Sequence, residues 1–375
     1  MGKLVFVWDN FGPLHADRCN AVAKRFVGTH QVIGLELAGL SKDYKWVPSD
    51  GFLFQKLTLV PEKWWDEIPF IQRFCKTLSA CLSMGHKSHY FFCHYQDPAI
   101  FLVALSLRVF GQRVYTMGCS KFDDYPRRIS RELVKSLMYS PYSGVITSGT
   151  RSRDYMYFMG FNSERIKTGY NSLSLDRIRA QAGVPIAPQG VPFLKRHFTI
   201  VARLIPKKNI SLALKAMKLY AEQVPSPRPL HIFGNGPLES ELRAHARNLG
   251  INELVHFHGF LQTDEISKWY AKSLALLLPS IEEQFGNVVP EAQAMGLPVI
   301  VSDNCGGGDL LVRTGVNGFV AKPDNPEGWA FLMTLLSEDE SLWQRMCINS
   351  QLFVESADSP RFAEAVEALI APSQE

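Results

Sequence analysis

A chain of 375 residues with 46% apolar and 20% charged residues has the composition of a folded globular protein and exceeds the usual size of one domain, so two domains with separate cores are expected. Its longest apolar stretch uninterrupted near the middle, Ala99 to Val109, falls well short of the ~20 residues that span a bilayer. Seven scattered cysteines with no C-x-x-C pair argue against a disulfide framework or a zinc site, and the opening residues lack a small-residue cleavage site, so a cytoplasmic protein is expected.

The net charge of +4 is unevenly spread: residues 1–190 hold 24 Lys plus Arg against 15 Asp plus Glu, net +9, and the remainder 16 against 21, net −5. A basic half suits an anionic surface such as phospholipid headgroups or a phosphorylated lipid carrier; a solvated surface of mixed charge is the plain alternative. No Lys/Arg-rich run or recognised nucleic-acid motif accompanies it, so nucleic acid is not an expected partner.

In chain order, Lys3 to Trp8 reads as a buried strand, Gly12-Pro13 as a turn and Ala16 to Val27 as a helix. Strands follow at Gln31 to Leu37, Tyr90 to Cys93, Arg113 to Thr116 and Gly144 to Thr147, with an apolar helix at Ala99 to Phe110. The uncharged Pro/Gly-rich stretch 181–192 reads as a linker, which places the domain boundary between residues 185 and 186. The second half repeats the alternation: strands at His197 to Ala202, Leu230 to Phe233, Val255 to His258, Leu274 to Leu278, Pro298 to Ser302 and Gly318 to Ala321, with helices from Ile210, Pro237 and Val288. Strands alternating with helices predict two doubly wound α/β units, and open parallel sheets take ligands beyond the carboxyl ends of their strands, so a cleft between facing units is expected.

Three segments of the second half carry chemistry. Arg203 follows one strand and Lys208 precedes the next helix, a pairing of cations suited to a diphosphate, although such a cluster is equally a solvated turn. Gly234-Asn235-Gly236 permits close backbone approach at a strand end, and alone it is an ordinary tight turn. In Glu283-Gln284-Phe285-Gly286-Asn287-Val288-Val289-Pro290-Glu291, two carboxylates suited to sugar hydroxyls bracket a helix start; favourable interaction with the helix dipole is the bland reading.

Together with Gly296-Leu-Pro-Val-Ile-Val-Ser302 and Gly306-Gly-Gly308, these segments resemble, in order and spacing over residues 197–322, the sugar-donor domain of glycosyltransferase family 4. That family has the GT-B fold, two Rossmann-like doubly wound domains facing a cleft, and transfers a hexose-type sugar from a nucleotide-sugar with retention of configuration and no metal or other cofactor. The resemblance implies that Arg203 and Lys208 bind the donor diphosphate and stabilise the leaving nucleotide, and that Glu283 contacts the transferred sugar. It further implies that main-chain groups from Phe285, Gly286, Asn287 and Val288 hold sugar and phosphates, that Glu291 accepts from the ribose, and that Leu261 lies where the base sits. Gly234 and Gly236 would flank the donor.

The first half matches more loosely. Gly12 occupies the place of the family's first glycine loop beside the donor phosphate, while His15, His94, Asp97 and Lys121 are candidates for the acceptor side, each also readable as a scaffold or surface residue. Gly118 stands where many members carry a histidine that touches the donor sugar, which leaves donor identity open. The acceptor implied is a saccharide or lipid-linked saccharide in cell-surface glycan synthesis. Trp64-Trp65 beside Lys63, with Arg73 and Lys76, suits a protein resting on the inner face of the plasma membrane, though buried tryptophans are the simpler reading. A nucleotide-sugar epimerase or hydrolase, or a donor-binding scaffold without catalysis, remains an alternative on the same fold.

Overall fold

The computed structural model describes residues 1–41 and 51–371. It divides into two compact units, Met1–Ser174 joined by the chain from Asp358, and Leu175–Ala357.

The first unit is built on seven parallel strands: β1 (Gly2–Trp8), β2 (His30–Glu36), β3 (Gln55–Thr58), β4 (Ser88–Phe92), β5 (Arg113–Gly118), β6 (Val145–Thr147) and β7 (Ile166–Thr168), in the order β3-β2-β1-β4-β5-β6-β7. Side chains on β1 alternate between two cores: Val5 and Val7 enter one, Leu4, Phe6 and Trp8 the other. A strand apolar on both faces is what a sheet covered by helices on both sides requires. Helices α1 (Pro13–Arg25), α2 (Phe70–Leu82), α3 (Pro98–Val109), α4 (Ile129–Tyr139) and α5 (Thr150–Phe158) supply the cover. Cys81, Val103, Tyr139 and Met156 from α2 to α5 pack on the Val5 side, and Cys19 and Val22 from α1 on the Phe6 side.

The second unit opens with α6 (Leu175–Ala182) and carries six parallel strands: β8 (His197–Val201), β9 (Leu230–Phe233), β10 (Val255–Gly259), β11 (Ser273–Leu278), β12 (Val299–Ser302) and β13 (Gly318–Ala321), in the order β10-β9-β8-β11-β12-β13. Its helices are α7 (Ile210–Gln223), α8 (Glu239–Asn248), α9 (Thr263–Tyr270), α10 (Val288–Ala294), α11 (Gly308–Leu311), α12 (Pro326–Glu338) and α13 (Glu340–Phe353). The last helix, α14 (Pro360–Ile370), lies in the first unit, where Phe362, Val366 and Leu369 join the core with Phe6 and Trp8.

The strand order reverses between β1 and β4 in one sheet and between β8 and β11 in the other. At such a reversal the flanking loops diverge and leave a crevice at the carboxyl edge.

The division falls at Ser174/Leu175, earlier than the boundary read from the Pro/Gly-rich stretch. That stretch is stitched into the second unit: the Ala187 amide donates to Met295 O (2.9 Å), Ala187 O accepts from Gln351 (2.8 Å), and the Arg196 guanidinium donates to Gln189 O (2.7 Å) and Val191 O (2.9 Å). Only Ala182 and Ala187 of it are buried, so these hydrogen bonds, not a core, hold it in place. Two strands escaped the pattern because they are short: β3 is four residues, one exposed and three half-buried, and β7 only three, too short to show a period.

Candidate functional site

The chain leaves β8 at Val201, passes Arg203, makes a 3-10 turn over Pro206–Lys208 and enters α7. Asn209, between turn and helix, is left-handed (φ 53°), a conformation that Asn tolerates better than most residues. Its side-chain amide does not cap α7. It donates to Pro279 O (3.1 Å) and Pro323 O (2.8 Å), tying together the loops that follow β8, β11 and β13. The Ile281 amide adds a bond to Lys207 O (2.9 Å).

These ties bring the Lys208 ammonium onto the Glu283 carboxylate across the strand-order reversal, with the two side chains only 16% and 13% exposed. The Ser280 hydroxyl donates to the same carboxylate oxygen (3.2 Å). Desolvating such a pair costs roughly what its attraction returns, so a fold gains little stability by keeping it. Arg203, half-buried, comes from the same loop as Lys208.

The glycines beside this pair are set by backbone packing. Gly234 has φ +126°, and a β-carbon there would lie 2.0 Å from Ala202 O; one on Gly236 would lie 2.4 Å from Leu204 O. The Leu204 amide donates to Asn235 O (2.9 Å) and the Leu238 amide to Leu204 O (3.1 Å), so the loops after β8 and β9 lie backbone to backbone. Gly234 and Gly236 therefore bring the Arg203 loop to its place.

Beyond Glu283, Phe285 is buried and Gly286 adopts φ +88°, where a β-carbon would press on Leu278, Cys305 and Glu283. The Gly306-Gly307-Gly308 run supports this segment from below: the Gly306 amide donates to Glu283 O (3.0 Å) and the Gly307 amide to Phe285 O (2.9 Å). The Cys305 thiol also donates to Phe285 O (3.0 Å), and burial, with Glu283 nearby, pushes its pKa up to about 12. Asn287 and Val288 are half-buried at the start of the seven-residue α10, in which Glu291 accepts a long hydrogen bond from the Tyr270 hydroxyl (3.5 Å). Burial, reinforced by Glu291, holds that hydroxyl well above the usual tyrosine range. Leu261, two residues past β10, is half-buried.

In the first unit the β1/β4 reversal is bridged by His94 Nε2 and Asp9 Oδ1 at 3.0 Å. Burial pushes the Asp9 carboxyl up, but the hydrogen bond and charge of His94 and the Asn10 amide outweigh it, leaving Asp9 below its ordinary value. Gly12 caps α1, and its amide donates to His15 Nδ1 (2.9 Å), which requires a neutral ring; burial first, then Arg18, lowers the His15 pKa to about 3. Asp97 caps α3, accepting from the Ala99 (2.8 Å) and Ile100 (3.3 Å) amides, and pairs with Arg73 (2.5 Å). Lys121 is buried against Asp123 (3.1 Å) and Asp124 (3.6 Å). His15, Asp97 and Lys121 are thus engaged within the scaffold, whereas His94, paired with Asp9, stands at the carboxyl edge of the sheet.

Sequence reasoning missed Asn209, Ser280 and Tyr270, which position the second unit's charged side chains, and Glu36, which positions the first loop. Glu36 is buried at the end of β2 and accepts from the Phe11 amide (2.7 Å), Thr58 (2.6 Å) and Lys56 (3.0 Å). The available signal was a carboxylate closing an apolar strand, Val32-Ile-Gly-Leu-Glu36.

Residues 190–353 match the family model described as Glycosyl transferases group 1. That span contains Arg203, Lys208, Glu283, Glu291 and the three glycine segments. A D-inositol 3-phosphate glycosyltransferase of Streptomyces griseus is 32% identical over 152 residues, 38% of this chain and 32% of that protein. A poly(glycerol-phosphate) alpha-glucosyltransferase of Bacillus subtilis is 29% identical over 174 residues, 46% of this chain and 25% of that protein. The chain thus spans less than half the length of either relative. Anabaena Alr3699/HepE, solved in complex with UDP and glucose, superposes with a TM-score of 0.70 at 18% identity over 98% of both chains. The fold is GT-B, with two Rossmann-like units, each built on a parallel sheet with alternating helices.

Proposed function

We propose that this protein is a nucleotide-sugar-dependent glycosyltransferase that moves a hexose-type sugar, with retention of configuration and without a metal, onto a saccharide or lipid-linked saccharide in cell-surface glycan synthesis. The observation that carries this reading is the Lys208–Glu283 pair at the β8/β11 reversal, with Arg203 on the same loop. A diphosphate offers Lys208 more negative charge than one carboxylate does, so donor binding draws the ammonium away from Glu283 and frees that carboxylate for sugar hydroxyls. Arg203 and Lys208 then neutralise the charge that grows on the departing nucleotide, the task a metal performs elsewhere. Glu291, steadied by Tyr270, is assigned to the ribose. UDP and glucose in the structural relative, and sugar-transferring relatives by name, support the reading.

Glu283 and Glu291 are binding groups in this scheme, and the acceptor attacks from the face the nucleotide leaves. The test is an NMR time course of the anomeric proton during transfer in the presence of EDTA. Product with the donor's anomeric configuration is expected; the opposite anomer, or free sugar formed at the same rate with and without acceptor, contradicts it.

A further inference from the structure

Helix α4 is inverted relative to an ordinary surface helix. Its charged residues Glu132 and Lys135 face inward, where Glu132 meets Arg127 (3.3 Å) and the Tyr155 hydroxyl (2.5 Å), and Lys135 meets Tyr125 and Tyr155. Most of its apolar residues face outward, with Met138 and Tyr139 at its end packing inward. Ile129, Leu133 and Leu137, spaced one helical turn apart, are 83%, 63% and 69% exposed, and Val134 beside them is 57% exposed. Phe122, in the turn before α4, and Phe158 at the end of α5 are also exposed and meet edge to face at 5.5 Å. A stripe with a spacing of four residues is the pattern by which helices bury one side, yet here it meets solvent. An apolar face of this kind marks an interaction surface.

Charge identifies the occupant. Helices α2 and α3 contain no Asp or Glu; α4 contains only the buried Glu132, and α5 only Asp154, which is paired with Arg153 (2.8 Å). Arg128 and Arg131 are exposed beside the stripe. Leucines and phenylalanines rimmed by exposed Arg128 and Arg131, with Glu132 buried and the exposed Asp123 and Asp154 each paired with an arginine, match the interface of an anionic bilayer, where apolar side chains enter the acyl boundary and guanidinium groups reach headgroup phosphates. Among the described residues, no helix is long and apolar enough to cross a membrane.

We propose that the outward face of α4, continued by Phe122 and Phe158, is the surface by which this protein docks on an anionic lipid bilayer. This places the contact on a helix with a defined apolar row rather than at Trp64-Trp65. The docking face is independent of the transfer site; a chain unable to transfer sugar would still bind.

Flotation with vesicles of phosphatidylglycerol and phosphatidylcholine, and of phosphatidylcholine alone, tests this for wild type and for the double substitution Leu133→Gln with Leu137→Gln. Wild type should float with the anionic vesicles and be released by salt. The double variant should bind at least ~10-fold more weakly, the equivalent of losing one buried leucine or more, with unchanged thermal stability and unchanged transfer to a soluble acceptor. Failure of wild type to bind, equal binding by the variant, or equal binding to neutral vesicles overturns the proposal. So does sedimentation showing a wild-type dimer that the variant dissociates without any vesicle binding, which would make a second copy the occupant.

Discussion

A close side-chain pair bridges the strand-order reversal in each sheet, Lys208 with Glu283 in one and His94 with Asp9 in the other, but the two are held by different means. At β8/β11, Lys208 and Glu283 are nearly buried; the Lys208 loop lies backbone to backbone on the loop after β9 because Gly234 and Gly236 admit it, and Asn209 and the Ile281 amide tie it to the loop after β11. At β1/β4, Asp9 and His94 are more open to solvent, and side chains do the holding: Glu36 grips the first loop, His15 caps Gly12 and Asp97 caps α3. Backbone geometry imposed by glycine tolerates little change. Side-chain scaffolds can be rebuilt from other residues, so the first unit's edge should tolerate substitution better than the second's.

The largest expected effect breaks the second unit's pair. Lys208→Ala should lower turnover at least ~10²-fold through lost charge stabilisation of the leaving diphosphate, measured as initial rates at saturating donor and acceptor. A smaller catalytic effect with a large structural one is expected of Gly234→Ala: the new methyl would meet Ala202 O at a β-carbon distance of 2.0 Å. Roughly 2–4 kcal/mol of stability should be lost, read from urea denaturation.

At the first unit's pair, His94→Ala should raise the acceptor KM by about 10-fold and leave nucleotide affinity unchanged, because the open β1/β4 pair is assigned to the acceptor side. Equal loss of nucleotide affinity would erase the distinction between the two edges.

Acid should act on both units through histidines kept neutral by burial. Desolvation, helped by His231, brings His197 to about 3; desolvation, helped by His256 and His258, brings His231 to about 4; His15 lies at about 3. Unfolding returns each to its ordinary pKa of ~6.5, so the unfolded chain binds more protons below that value, and stability falls as pH drops from about 7 towards 4. A midpoint of thermal unfolding that is flat across this window would contradict it. The smallest effect is expected from Gly118→His: a β-carbon there meets nothing within 4 Å, so the variant should fold with an unchanged unfolding temperature.

Both sheets except β3 and β7 were legible in the sequence, as were the loops that carry Arg203, Lys208 and Glu283, because fully buried strands such as Ser273–Leu278 leave an apolar run and glycine-forced loops keep a fixed spacing. The side-chain scaffold was not. Asn209 follows Lys-Lys at a helix start and looks like a cap, yet it bonds to Pro279 and Pro323, some 70 and 114 residues away. The inverted α4 also defeats periodicity, since its apolar row has helical spacing and nothing in the row itself says which side is the core.

The central claim is that the β8/β11 edge binds a nucleoside diphosphate through Arg203 and Lys208. Calorimetric titration with UDP, GDP and ADP in EDTA, on wild type and Arg203→Ala, tests it most directly. One nucleotide should bind without metal, and the substitution should abolish that binding; affinity that survives in Arg203→Ala, or no binding of any nucleotide at millimolar concentration, would contradict it.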